Sequence, residues 1–198
     1  AALPEAPSAS SFQYRLLFLG RIVTLKGWRD AIDAVQIASK NMNRRLVLEV
    51  AGEGPDLPKL RQLAQDNPNV IIHGKLDTSG LKDLMSRMDA ILVPSRWAEP
   101  FGKVGIEAAS QGVPAIAYNV GGISEWLKDG KTGLFVETGH FGPAKMAKKI
   151  CEMYSSEENW NQLRKGAWGH ASKLTIDNHL GHLLNSIQKA IRDFQPVS

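Results

Sequence analysis

Apolar positions along the chain follow two alternating patterns. Short continuous apolar runs at Tyr14–Leu19, Leu46–Ala51, Val70–His73, Ala90–Pro94, Pro114–Tyr118 and Leu134–Val136 predict strands buried on both faces. Between them, apolar residues recur at helical spacing over roughly Trp28–Ser39, Leu57–Asp66, Leu81–Met88, Val104–Gln111 and Ile123–Lys128. After the last run come only helical patterns, over Pro143–Tyr154, Glu158–Ala171 and Asn178–Phe194. Strands and helices taking turns predict an α/β fold. The expected form is a Rossmann-like parallel sheet of about six strands, with helices on both faces and a helical C-terminal end. Residues 1–11, rich in Ala, Ser and Pro, read as a linker or appended remnant, and residues 12–198 as one domain.

Composition narrows the partners. A content of 43% hydrophobic and 22% charged residues suits a water-facing domain with a proper core. No apolar run reaches the roughly 18 residues that a membrane span needs. The first ten residues lack a basic start and an apolar stretch, so no signal peptide is expected. The single Cys151 reads as a small packed residue rather than a nucleophile, and a cytoplasmic location is the default expectation. The formal charge of +4 favours anionic ligands. Basic residues are not interleaved with aromatics, so no nucleic-acid partner is expected. Lys145, Lys148 and Lys149 read as the solvated face of a helix.

In a parallel sheet, ligands bind beyond the carboxyl ends of the strands, so the chemistry belongs in the loops there. After the first strand, Gly20-Arg21 and Lys26-Gly27 offer a guanidinium fork and a point charge that suit a diphosphate. Taken alone, they suit a solvated loop as well. After the second strand, Gly52-Glu53-Gly54 allows close backbone approach or simply a turn. After the fourth, Glu99-Pro100-Phe101-Gly102 leads into a helix near Lys103, and free N–H groups at a helix start attract anions. Glu107, inside that helix beside Ala108 and Ala109, could accept hydrogen bonds from vicinal ribose hydroxyls, although a helix carboxylate ordinarily faces water. Glu99 could hold sugar hydroxyls. The fifth loop adds a second glycine turn, Gly121-Gly122.

Rival readings find less support. No Gly-X-Gly-X-X-Gly turn follows Gly20, and Gly130-Lys131-Thr132 lacks the earlier glycine of a phosphate-binding P-loop. His179 and His182 have no companion ligands and are expected to have a surface or packing role, and His73 a structural one.

In order, these motifs resemble the C-terminal lobe of retaining glycosyltransferases of family 4, which have the GT-B fold. They are Gly20-Arg21 with Lys26-Gly27, Gly52-Glu53-Gly54, Glu99-Pro-Phe-Gly with Glu107, Gly121-Gly122 with Glu125, and Asp129-Gly130 with Thr132-Gly133. The resemblance covers about Leu16 to Lys173. It implies a donor-binding lobe whose substrate is a nucleoside-diphosphate sugar of UDP, GDP or ADP type, with no cofactor and no metal. By the resemblance, Arg21 and Lys26 hold the diphosphate, Glu99 with Phe101 and Gly102 the transferred sugar, the Lys103 and Val104 amides phosphate, Glu107 the ribose, and Gly74 the base. Lys103 replaces an apolar residue frequent in the family and is expected to point outward. An acceptor-binding N-terminal lobe is the implied partner, towards which the helix near Asn178–Phe194 would cross. Association of the full enzyme with the inner face of a membrane is compatible with the family. The alternatives are a non-catalytic nucleotide or nucleotide-sugar binding module and a GT-B nucleotide-sugar epimerase.

Overall fold

A computed structural model describes residues 5–137, 142–174 and 176–193. Six strands form one parallel sheet: β1 (Arg15–Leu19), β2 (Val47–Ala51), β3 (Val70–Gly74), β4 (Ala90–Val93), β5 (Ala115–Tyr118) and β6 (Gly133–Val136). Eight α-helices accompany them among the described residues: α1 (Trp28–Asn41), α2 (Leu57–Gln65), α3 (Thr78–Met85), α4 (Lys103–Ser110), α5 (Ile123–Trp126), α6 (Gly142–Met153), α7 (Glu157–Ala171) and α8 (Ile176–Asp193). The expected α/β class and strand number hold.

Both faces of the sheet are apolar and both are covered. Leu16, Phe18, Leu48, Val50, Leu92, Ile116 and Val136 pack with α1 and α6 residues such as Trp28, Ile32, Met146 and Ile150. Leu17, Ile91, Val93, Ala115 and Ala117 pack on the other side with Leu84, Ala108, Ile123 and Trp126. Burial on both faces is why these strands read as continuous rather than alternating apolar runs. Lys145 and Lys148 are exposed on α6, while Met146, Ala147 and Ile150 beside them are buried.

Element ends differ from the periodicity for local reasons. β4 stops at Val93 because Pro94 has no N–H to give the ladder. α3 starts at Thr78, three residues early, because the Asp77 side chain accepts from the Gly80 N–H at 2.8 Å and caps the helix. α5 stops at Trp126, where Thr132 Oγ1 takes the Lys128 N–H at 2.8 Å and turns the chain. The Gly130-Lys131-Thr132 segment is therefore a turn stapled by its own hydroxyl. Cys151 is half-buried against the α1–α6 core, and burial raises its thiol pKa.

Residues 5–11 form no helix or strand. The Asn161 side chain of α7 nevertheless exchanges two hydrogen bonds with the Ser10 backbone, Arg164 donates to the Ser8 carbonyl, and Phe12 packs edge-on to Tyr154. On α8, Leu180, Leu183, Leu184, Ile187 and Ile191 share one face at helical spacing and stand exposed. The side chains of His179 and His182, and Phe194, lie outside the described residues. No helix among the described residues is long and apolar enough to cross a membrane.

Candidate functional site

The strand order is β3-β2-β1-β4-β5-β6, so chain direction across the sheet reverses between β1 and β4. The loops after these two strands must diverge, one towards each edge, and they leave a crevice between them. A cavity of about 460 Å³ occupies it, lined by Gly20, Arg21 and Lys26 from the first loop and by Ser95 and Glu99 to Val104 from the second.

The first loop is shaped by a short 3-10 turn, Thr24–Lys26. Buried Asp56, at the start of α2, anchors it. Its carboxylate accepts from Thr24 Oγ1 at 2.8 Å, Trp28 Nε1 at 3.4 Å and Lys59 Nζ at 2.9 Å. Hydrogen bonds from Lys59 and Thr24, chiefly, lower the Asp56 pKa from 3.8 to about 2. A carboxyl depressed by folding stabilises the fold above its unfolded value and loses that contribution as pH falls through the folded one. Asp56→Asn should therefore lower the urea midpoint most near neutral pH. The gap to the parent should close as pH falls from about 4 towards 2. A gap of constant size across that range would show that ionisation of Asp56 does not matter.

The second loop carries Glu99, which is 9% exposed. Its Oε2 accepts from Lys26 Nζ at 2.5 Å, Ser95 Oγ at 3.0 Å and Trp97 Nε1 at 3.2 Å. Burial by itself would raise this carboxyl; hydrogen bonds from Lys26 and Ser95, the Lys26 charge and the Trp97 N–H together outweigh it and lower its pKa. The rest of the loop is tied on three sides. The Arg96 guanidinium grips the buried Asp30 carboxylate of α1 with two nitrogens, and the Tyr118 hydroxyl donates to the same group at 2.8 Å. The Gly122 N–H donates to the Glu99 carbonyl at 2.7 Å, and Trp126 Nε1 to the Phe101 carbonyl at 2.5 Å. α4 then begins at Lys103, after Gly102, and no side chain caps its start. Lys103 and Val104, whose amides belong to the first turn, line the cavity at the positive end of the helix.

Arg21, Lys26, Gly20, Glu99, Phe101, Gly102, Lys103 and Val104 thus meet around one cavity, as their loop positions led us to expect. Arg21 is exposed and forms no ion pair among the described residues. Lys103 is exposed as expected, yet it still borders the cavity.

Other expected residues are placed differently. Gly52, Gly54, Gly74, Glu107, Gly121 and Gly122 do not line the cavity. A Cβ on Gly121 or Gly122 would stand 2.3 Å from the Glu99 carbonyl oxygen or 2.2 Å from that of Pro100. These glycines therefore let the β5–α5 loop press against the Glu99 segment, a supporting role. Gly52 is in the same position against the Gly20 carbonyl, at 1.8 Å, and Gly54 against that of Ile22, at 2.4 Å. The Gly74 carbonyl accepts from the Gly52 N–H at 2.7 Å. Glu107 is exposed, although Ala108 and Ala109 beside it are buried, so its surroundings are wetter than the sequence suggested. His73 Nε2 lies 2.6 Å from buried Glu49, which also pairs with Arg15, a structural setting.

Sequence reasoning overlooked Ser95, Trp97, Arg96, Asp30 and Asp56. Only their closeness in sequence to Glu99 could have pointed to the first three, and a long-range partner such as Asp30 leaves no local signal.

Residues 5–168 match the family described as glycosyl transferases group 1. The chain is 33% identical over 189 residues to the D-inositol 3-phosphate glycosyltransferase 1 of Catenulispora acidiphila, covering 89% of this chain and 44% of that protein. Its fold superposes on the pneumococcal O-GlcNAc transferase GtfA, solved in complex with UDP and GlcNAc, with a TM-score of 0.79 at 21% identity, over 96% of this chain and 39% of that one. It also superposes on HepE of Anabaena, solved with UDP and glucose, with a TM-score of 0.74 at 22% identity, over 87% and 48%. The chain spans less than half the length of the curated relatives it matches, 45% in the case of the Bacillus subtilis putative glycosyltransferase YtcC. With the family matched over most of its length, this chain belongs to the glycosyl transferases group 1.

Proposed function

We propose that this domain binds the nucleoside-diphosphate-sugar donor of a retaining glycosyltransferase, and that the acceptor is held by residues outside it. The observation that carries this reading is the convergence of Arg21, Lys26, Glu99 and the uncapped start of α4 on one crevice at the sheet's reversal point. A diphosphate needs positive partners when the glycosidic bond to it breaks. Two cations and a helix N-terminus supply them in place, with no reorganisation at the moment of reaction. In this reading they take the part that a divalent ion plays in other transferases. Glu99 is ionised, buried and acceptor-only, the chemistry that holds a sugar hydroxyl. GtfA and HepE, which share this fold, were each solved with UDP, and this supports a nucleotide as the ligand.

Glu107 is assigned to the ribose. It lies one turn into α4, beyond Lys103 and Val104, and its carboxylate is free of hydrogen bonds to the described residues. Two vicinal hydroxyls can donate to its two oxygens. The exposed apolar face of α8 is assigned to the acceptor-binding lobe, a covering that would bury Leu180, Leu184 and Ile187.

Titration calorimetry with UDP, GDP and ADP tests the donor site. One of the three should bind, and heat from none of them would refute the reading. Glu107→Ala should weaken that binding by more than about tenfold, the scale of two hydrogen bonds to a charged acceptor. Because Glu107 is exposed, the variant's unfolding free energy should stay within about 0.5 kcal/mol of the parent's. Unchanged affinity in this variant would remove Glu107 from the site and leave the phosphate groups in place.

A further inference from the structure

The three donors to Glu99 all meet one of its oxygens, Oε2: Lys26 at 2.5 Å, Ser95 at 3.0 Å and Trp97 at 3.2 Å. Oε1 accepts from none of the described residues, and Glu99 borders the cavity. The carboxylate is thus pinned by one oxygen and presents the other. Lys26 is the least permanent of the three pins, because the proposed diphosphate competes for its ammonium. An ammonium drawn towards phosphate would carry Glu99 with it if nothing else held the carboxylate. Ser95 and Trp97 belong to Glu99's own loop. That loop is itself anchored through Arg96 to Asp30 and through Glu99's carbonyl to Gly122.

From this geometry we infer that Ser95 and Trp97 are positioning residues, which hold Glu99 Oε2 so that Oε1 meets a hydroxyl of the transferred sugar while Lys26 serves the diphosphate. The inference rests on the donor-site reading above. Trp97 is well placed for the task. The residue is 43% exposed, its N–H reaches Glu99, and Lys26 Nζ stands 5.7 Å from its ring centroid. It therefore touches the sugar-holding and the phosphate-holding group at once, and a cation over an indole face is attracted from any position near it. Ser95 is 2% exposed and close beneath the carboxylate, out of reach of solvent competition.

The test is the extra affinity that the sugar confers. Each nucleotide is compared with its sugar conjugate by calorimetry (UDP with UDP-glucose, GDP with GDP-mannose, ADP with ADP-glucose) on the parent chain, Trp97→Phe and Ser95→Ala. Trp97→Phe keeps an aromatic ring and removes only the N–H, and an exposed position tolerates it. In the pair the parent prefers, the ratio of conjugate to nucleotide affinity should fall about three- to tenfold in either variant, the range of one net hydrogen bond. Affinity for the bare nucleotide should change by less than that.

A variant that lowers both affinities by the same factor would mean that the residue supports the loop or the phosphates only, and would overturn the inference. So would an unchanged ratio in both variants. A parent that binds nucleotide but gains nothing from the sugar in any pair would overturn it while leaving the phosphate site standing. A parent that binds no nucleotide would overturn the donor-site reading and the inference with it.

Discussion

Lys26→Ala should weaken binding of a nucleoside diphosphate by about tenfold to a hundredfold, as expected from loss of a charge-assisted hydrogen bond contributing about 1.5–3 kcal/mol. A compact ammonium has three donors, so Lys26 can keep one on Glu99 and still offer another to phosphate. Removing it also leaves Glu99, 9% exposed, with Ser95 and Trp97 as its remaining donors. Its pKa should then move upward from the parent's, because burial raises it and the Lys26 hydrogen bond and charge no longer oppose that.

Stability should follow with a definite sign. In the parent, ionised Glu99 stabilises the fold above its ordinary value of 4.5, and that contribution disappears as pH falls through the lowered one. The Lys26→Ala penalty should therefore be largest near neutral pH and shrink below about pH 4. Because the Lys26 side chain is 28% exposed, the pair is partly screened, and a loss of about 1 kcal/mol is expected. Calorimetry at pH 7 and urea unfolding at pH 7 and about pH 3 measure both effects. Parent-like nucleotide affinity in this variant would remove Lys26 from the phosphate site.

The sheet and its class were legible because burial on both faces forces continuous apolar runs, and those runs stand in the chain whatever the tertiary detail. The loops that carry chemistry were legible for a related reason: in a parallel sheet every crossover places its loop at the same end, so Gly20–Lys26 and Ser95–Val104 had to sit at one end of the sheet. Strand order was not legible. Nothing in the composition of β1 and β4 says that they are neighbours, yet their adjacency creates the crevice.

The glycines mark the other limit. Gly121 and Gly122 stood out as a second glycine turn at a strand end, but what requires a missing side chain there is the backbone of Glu99 and Pro100, some twenty residues earlier in the chain. A glycine needed by a ligand and a glycine needed by a neighbouring loop look alike in sequence. Asp30 and Asp56 were invisible for a similar reason. Each is an acidic residue near a helix start, which ordinarily needs no more explanation than the helix dipole, and each turns out to anchor a site loop.

That dependence of one site loop on the backbone of another makes Gly27→Ala a severely damaging substitution. Gly27 has φ +72°, in the left-handed region, and a Cβ there would lie 1.9 Å from the Pro94 carbonyl oxygen and 2.8 Å from its carbon. Backbone strain of about 1–3 kcal/mol adds to overpacking of about 1–3 kcal/mol, so a loss of about 2–6 kcal/mol is expected. The obstacle is backbone at the end of β4, which no rotamer change can relieve. The same collision acts on function. Lys26 immediately precedes Gly27, and Ser95 immediately follows Pro94, so relief of the clash moves Lys26 away from Ser95 and Glu99. Nucleotide affinity should fall by at least about tenfold even at a temperature where the variant is folded, as happens when a positioned group shifts by about 1 Å. Gly169→Ala is the matching control: it lies within α7 with nothing within 4 Å of the added Cβ, and there alanine should be neutral or stabilise by up to about 1 kcal/mol. Urea unfolding of the two variants beside the parent decides the matter. If Gly27→Ala unfolds at the parental midpoint and binds nucleotide normally, the two loops are not braced against one another and the crevice is held open by something else.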